Sequence, residues 1–115
     1  MKKFFVLFAI PQAAIQDWMA KVDETTRKEQ SDKVMHEWQE WMTAHAAAVV
    51  EKGLPLGKTK RITAEGVTDV KNDLNWYMVV EAESHEAAAE MFKGHPHLQI
   101  PTSYIEVMDA TRPGM

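Results

Sequence analysis

Lys3-Phe4-Phe5-Val6-Leu7-Phe8-Ala9 is apolar on both of its alternating faces. In an extended strand Phe4, Val6 and Phe8 point one way and Phe5, Leu7 and Ala9 the other, so both sides need cover. Pro11 ends the run, since proline has no N–H to give a ladder. A second segment has the same character. In Trp76-Tyr77-Met78-Val79-Val80-Glu81-Ala82, Trp76, Met78 and Val80 share one side and Tyr77 and Val79 the other.

Outward from these strands the pattern turns helical. Ile15, Trp18, Met19 and Val22 recur at helical spacing, and the polar run Asp23 to Ser31 reads as a turn or a solvated helical segment. A longer helix follows, with Val34, Met35, Trp38, Trp41, Met42, His45, Ala46 and Val49 on one stripe and Gly53 as its left-handed cap. Residues 57–63 and 67–70 predict a hairpin turning at Ala64-Glu65-Gly66. Ser84 is placed to cap a helix over 85–93, with Ala87, Ala88, Met91 and Phe92 inward and Gly94 after it. Ser103 to Asp109 reads as the last strand and 111–115 as a tail.

That order is βαββαβ with an enlarged first helical region and an extra hairpin strand, so the expected fold is a ferredoxin-like α+β sandwich. Two helices cover only one face of such a sheet. The other would carry an exposed apolar patch, and a second copy packed sheet to sheet is the simplest cover. A homodimer is therefore the expected assembly.

With 115 residues the chain suits one domain, 1–115. A net charge of −4 argues against phosphate-backbone binding, which needs a concentrated basic face. The RNA-recognition fold shares the element order, yet the strand Trp76-Tyr77-Met78-Val79-Val80 lacks the basic-glycine pair that precedes its signature. Neither nucleic acid nor membrane is an expected partner. Without cysteine, disulfides, thiol catalysis and thiolate metal sites drop out. The apolar start is too short for a signal peptide and runs into Pro11 without a small-residue cleavage site. It reads as a strand, in a protein expected in the cytoplasm.

Several blocks resemble the YCII-related proteins, small bacterial members of the dimeric α/β-barrel superfamily. They are the N-terminal Lys3-Phe4-Phe5 strand, Trp38-Gln39-Glu40-Trp41-Met42, Gly53-Leu54-Pro55-Leu56-Gly57, Tyr77 to Ser84, Gly94-His95-Pro96-His97, and Ser103-Tyr104-Ile105-Glu106-Val107. Residues 12–32 stand outside the likeness as an insertion. The resemblance implies the fold, a dimer and a cleft between helices and sheet. In some members an aspartate before the proline and a histidine on the main helix are suggested as catalytic. Here the aspartate position is His95 and the histidine position falls on Met42, so that pair does not carry over.

Chemistry would then rest on other groups. His95 and His97 flank Pro96, where neutral imidazoles could shuttle protons or bind metal. A zinc site would need a third ligand, from His45 or Glu37, and metal is not expected. The bland alternative is that both rings cap the preceding helix and pack the turn. His45 sits on the apolar stripe, either as a core residue or as a base facing the cleft. Trp38, Trp41 and Trp76 could floor a ligand pocket or simply fill the core. Lys58, Lys60 and Arg61 could hold an anion, or charge a hairpin edge. Asn72 and Asp73 are ordinary turn formers, with a ligand contact from Asn72 the sharper reading. His36 and His85 read as surface residues. If His97 is a loop residue kept for function, His97→Ala should cost under about 1 kcal/mol.

Two functional classes follow. One is a small-molecule enzyme or binding protein with its cleft near His45, His95 and His97. The other is a noncatalytic dimerisation or accessory module in which those histidines are structural. An open pocket reaching His95 or His97 would favour the first. Two buried rings bonded to backbone would favour the second.

Overall fold

The computed structural model describes residues 1–110; the tail read over 111–115 lies outside the described residues. The order is β1 (Lys2–Ala9), α1 (Gln12–Lys21), α2 (Glu24–Ala44), β2 (Val49–Glu51), β3 (Thr59–Thr63), β4 (Gly66–Val70), β5 (Leu74–Ala82), α3 (His85–Met91), a 3-10 turn (Pro96–Gln99) and β6 (Tyr104–Asp109). The fold is α+β. Its main sheet is four-stranded and antiparallel in the order β2-β5-β1-β6, and β3 and β4 form a separate two-stranded ribbon. No described helix is long and apolar enough to cross a membrane.

Register follows the alternation of the two central strands. Phe4 faces Val80, Val6 faces Met78 and Phe8 faces Trp76, while Val107 and Ile105 of β6 pair with Val6 and Phe8. Phe4, Val6, Phe8, Met78 and Val80 are fully buried and meet Trp41, Ala88 and Phe92 from the helices. Removing each large side chain from water stabilises the fold by about 1.5–3 kcal/mol. The opposite face carries Phe5, Leu7, Tyr77 and Val79, only partly buried, with the Phe5 and Tyr77 rings stacked at 5.7 Å.

The helical region takes the solvated helical form of its polar run and departs from expectation at its far end. The polar run from residue 24 is the start of α2, capped by Asp23, whose carboxylate accepts from the Thr26 N–H at 3.3 Å. The helix does not reach Gly53. It ends at Ala44 with His45 as its cap, and the His45 carbonyl closes a turn by accepting from Ala48 and Val49. Val49-Val50-Glu51 then pairs with β5, since β-branched residues suit a pleated surface better than a helix. The stripe therefore shortens: Trp38, Trp41 and Met42 pack inward, but Met35 is 60% exposed. The expected hairpin forms, yet it stands apart from the sheet, and Val49–Glu51 fills the edge position beside β5. Residues 12–32 supply α1, none of whose residues is buried, and the first turns of α2.

Candidate functional site

The chain after α3 is built around three linked devices. Gly94 takes φ +71°, a conformation that suits glycine at a helix end. His95 then sits extended as N-cap of the 3-10 turn, with Pro96 at its first position. The His95 Nδ1 accepts from the His97 N–H at 3.0 Å, so an imidazole does the work usually done by a serine or aspartate oxygen. Ser103 Oγ ties off the far end, reaching the carbonyls of His97 (2.9 Å) and Ile100 (2.7 Å).

Both rings point inward. His95 is 1% exposed and His97 3%. His97 Nε2 lies 2.9 Å from the carbonyl of Ala9 at the end of β1; a carbonyl only accepts, so Nε2 carries the proton. His95 is enclosed by aromatic rings: Trp38 at 4.6 Å and Trp41 at 4.7 Å, both near edge-on, then Phe8 at 5.2 Å and Phe92 at 6.0 Å. Because its Nδ1 accepts, its neutral form bears the proton on Nε2, and that buried nitrogen has no hydrogen-bond partner.

This setting favours neutral rings. Burial pushes the His95 pKa down to about 3, helped by the neighbouring His97 and His45. Burial also lowers His97, against the pull of hydrogen bonding to the backbone at Ala9 and Tyr104. His95, held neutral so far below neutrality, takes up no proton near pH 7, and burial biases His97 toward the neutral form as well.

His45 joins the cluster from the end of α2. Its ring stacks on Trp41 at 4.2 Å, and Nδ1 lies 2.9 Å from the Trp41 carbonyl. Nδ1 is thus the donor, and Nε2 is left as an acceptor. The ring is half-buried. Trp41 itself donates from Nε1 to the Met91 carbonyl at 3.2 Å, which fastens α2 to α3.

The residues singled out from sequence therefore fall into two groups. His45, His95, His97, Trp38 and Trp41 form one aromatic cluster, with Trp76 adjoining Trp38 at 5.9 Å. Lys58 and Asn72 lie apart, exposed at the base of the ribbon and in the loop after it. Asn72 Oδ1 accepts from the Leu74 N–H at 2.9 Å, a turn contact, and Asp73 Oδ1 accepts from the Gln12 N–H at 3.2 Å. Glu37 is directed to Gln99, with which it makes a short hydrogen bond, and to Lys33. His36 is exposed beside Glu40 at 3.1 Å. His85, though exposed, stacks on Phe4 at 5.3 Å and bonds the Val107 carbonyl at 2.7 Å. Sequence reading missed that contact, which could have been found only from its position above an edge strand.

Two surface grooves flank this region. One runs along the outer side of α2 past His36, Gln39, Glu40 and Thr43, and the other lies between α3 and β6, past His85, Phe92, Lys93 and Tyr104. Neither is lined by His45, His95 or His97. Among the described residues no group of three or more His, Asp or Glu side chains is arranged to hold a metal ion. Compared with known proteins, the chain matches no family model, and no curated protein matches it.

Proposed function

We propose that this chain is a noncatalytic dimerisation or accessory module, and that His95 and His97 hold its closing turn against β1. The observation that carries this reading is the sealing of both rings, 1% and 3% exposed, with hydrogen bonds to the chain itself. The strand order β2-β5-β1-β6, with α2 and α3 packed on one face, supports a ferredoxin-like sandwich. Phe5, Leu7, Tyr77 and Val79 on the other face support a sheet-to-sheet dimer of the α/β-barrel kind, which normally buries of the order of 1,500 Å². The likeness to YCII-related proteins fits the same reading. In members with an aspartate before the proline, that residue would be a favoured N-cap, and His95 caps here in its place.

A second reading keeps a small-molecule cleft at the aromatic cluster. It is favoured by the unpartnered Nε2 of His95, a donor, and by the acceptor Nε2 of His45, both rings lying against Trp41. A small polar ligand between α2 and the closing turn would satisfy both.

Two measurements test the proposal together. Light scattering at micromolar concentration should give twice the chain mass, and a monomer would defeat the dimer. Nitrogen-15 spectra of the histidine rings, recorded against a library of small polar fragments, should show no shift at His95. Saturable shifts at both His95 and His45 would favour the cleft.

A further inference from the structure

Pairing leaves β6 at one end of the four-stranded sheet, with β1 on one side and no described strand on the other. Its sequence, Tyr104-Ile105-Glu106-Val107-Met108-Asp109, alternates β-formers and holds no proline. An edge of this kind is a template for another chain. Which backbone groups it offers follows from the register. The Ala110 N–H donates to the Lys3 carbonyl at 3.1 Å, and next along the ladder Met108 faces Phe5 and Glu106 faces Leu7. Bonded and non-bonded pairs alternate in an antiparallel ladder, so Met108 and Glu106 bond toward β1. Ile105 and Val107 then direct their N–H and C=O groups outward. One of these is taken. The Val107 carbonyl lies 2.7 Å from Nε2 of His85, and since a carbonyl only accepts, Nε2 is the donor. The same ring stacks on Phe4 at 5.3 Å and 25°, and Phe4 is fully buried. An exposed side chain at the start of α3 is thus held by the core beneath it and by the edge it meets.

We propose that His85 is an edge guard, which keeps β6 from pairing with β6 of a second copy. The strand's own sequence suits it to that partner. An antiparallel pair centred on Val107 uses the whole strand and sets Glu106 opposite Met108 and Ile105 opposite Asp109, so no like charges stand directly opposite. Its central bonds run from each Val107 N–H to the other Val107 carbonyl, the acceptor that His85 already holds. A register centred on Glu106 sets that carboxylate against its own copy, and it too calls on the Val107 carbonyl, for the Ile105 N–H. A two-fold axis makes every contact twice, so the ring blocks the pairing from both sides. Pairing of this kind would lengthen the sheet at its edge. It is separate from the face-to-face dimer proposed above, which covers the open face and leaves β6 at the edge.

His85→Phe keeps a ring over Phe4 and removes the donor. At high micromolar concentration its mass by light scattering should rise above that of wild type, whatever mass wild type shows. Hydrogen exchange at the Val107 amide should slow by on the order of tenfold or more in the variant, because that N–H becomes paired. His85→Gln restores a donor and should keep the wild-type mass. A His85→Phe variant of wild-type mass with unchanged Val107 exchange overturns the guard. So does a His85→Gln variant that associates as strongly as His85→Phe, since the hydrogen bond would then protect nothing. Wild-type protein whose Val107 amide grows more protected as concentration rises overturns it as well. Should His85→Phe fail to fold, His85→Leu, which also covers Phe4 without a donor, decides by the same two readouts.

Discussion

The backbone N–H of His97 donates to Nδ1 of His95 across 3.0 Å, and this one bond sets the chemistry of the turn. It makes the ring of His95 the cap of the 3-10 segment, fixes its proton on Nε2, and turns that nitrogen into a core where nothing accepts from it. An unpaired buried donor costs about 1–3 kcal/mol.

Stability should fall as pH is lowered from near neutrality. The unfolded chain takes up a proton on His95 near pH 6.5, whereas the buried ring refuses it until about pH 3. Across that window the unfolded state binds more protons, so the contribution is complete above about pH 6.5 and is lost toward pH 3. The slope is about 1.4 kcal/mol per pH unit for one such ring, with His97 adding in the same direction. Urea midpoints at fixed protein concentration measure it. His95→Asn keeps a cap acceptor and removes the titrating ring, so its pH dependence should be shallower. A wild-type midpoint that does not move between about pH 7 and 5 would contradict the buried neutral ring.

His97→Ala should cost about 2–3 kcal/mol, not the small loss expected of a loop residue. The ring is buried, and deleting it orphans the Ala9 carbonyl and opens a void beside Phe8, whose ring lies 5.3 Å away. His36→Ala, on the exposed side of α2, is the control and should stay within about 0.5 kcal/mol of wild type. Equal midpoints for the two variants would return His97 to the status of a free loop residue.

Trp41→Ala should cost about 3–5 kcal/mol. Trp41 touches His45, Phe92 and His95, and its Nε1 holds the Met91 carbonyl at the end of α3. Trp41→Phe keeps most of the volume and loses the bond, so it should sit between the two by equilibrium unfolding. A Phe variant as weak as the Ala variant would place the energy in the hydrogen bond and not in packing.

What sequence could disclose depended on distance along the chain. The alternation in Phe4–Ala9 and Trp76–Ala82 is local, and register and core followed from it. The Gly66 turn was equally local, but the separation of its ribbon from the main sheet is set by strand pairing across the fold and not by the turn. The end of α2 was misplaced because Val49 continues the helical spacing from Trp41 and His45, and the β-branched pair Val49-Val50 was the signal that could have marked a strand. His97 could be read as a loop residue because its partner, Ala9, lies 88 positions away. Gathering His45, Trp38 and Trp41 needed only the spacing on α2; adding His95 needed the fold.

Gly53 illustrates a local reading that found the right conformation for the wrong reason. It has φ +81°, the left-handed region expected of a helix cap, yet it follows strand β2 and has no helix to end. Its role is close approach. A Cβ there would sit 1.5 Å from the Tyr77 carbonyl oxygen and 3.0 Å from Nε1 of Trp76, the same nitrogen that donates to the Lys52 carbonyl at 2.9 Å. Neither neighbour can yield cheaply, since one is the backbone of β5 and the other is already bonded. Gly53→Ala should therefore cost about 3 kcal/mol or more, combining strained backbone with displacement of β2 from β5. Gly57→Ala, where a methyl meets nothing within 4 Å and φ is not positive, should be neutral or stabilise by up to about 1 kcal/mol. Urea midpoints for the pair decide it: a tolerated Gly53→Ala would mean that β2 is not held against β5 as the hydrogen bonds around it require.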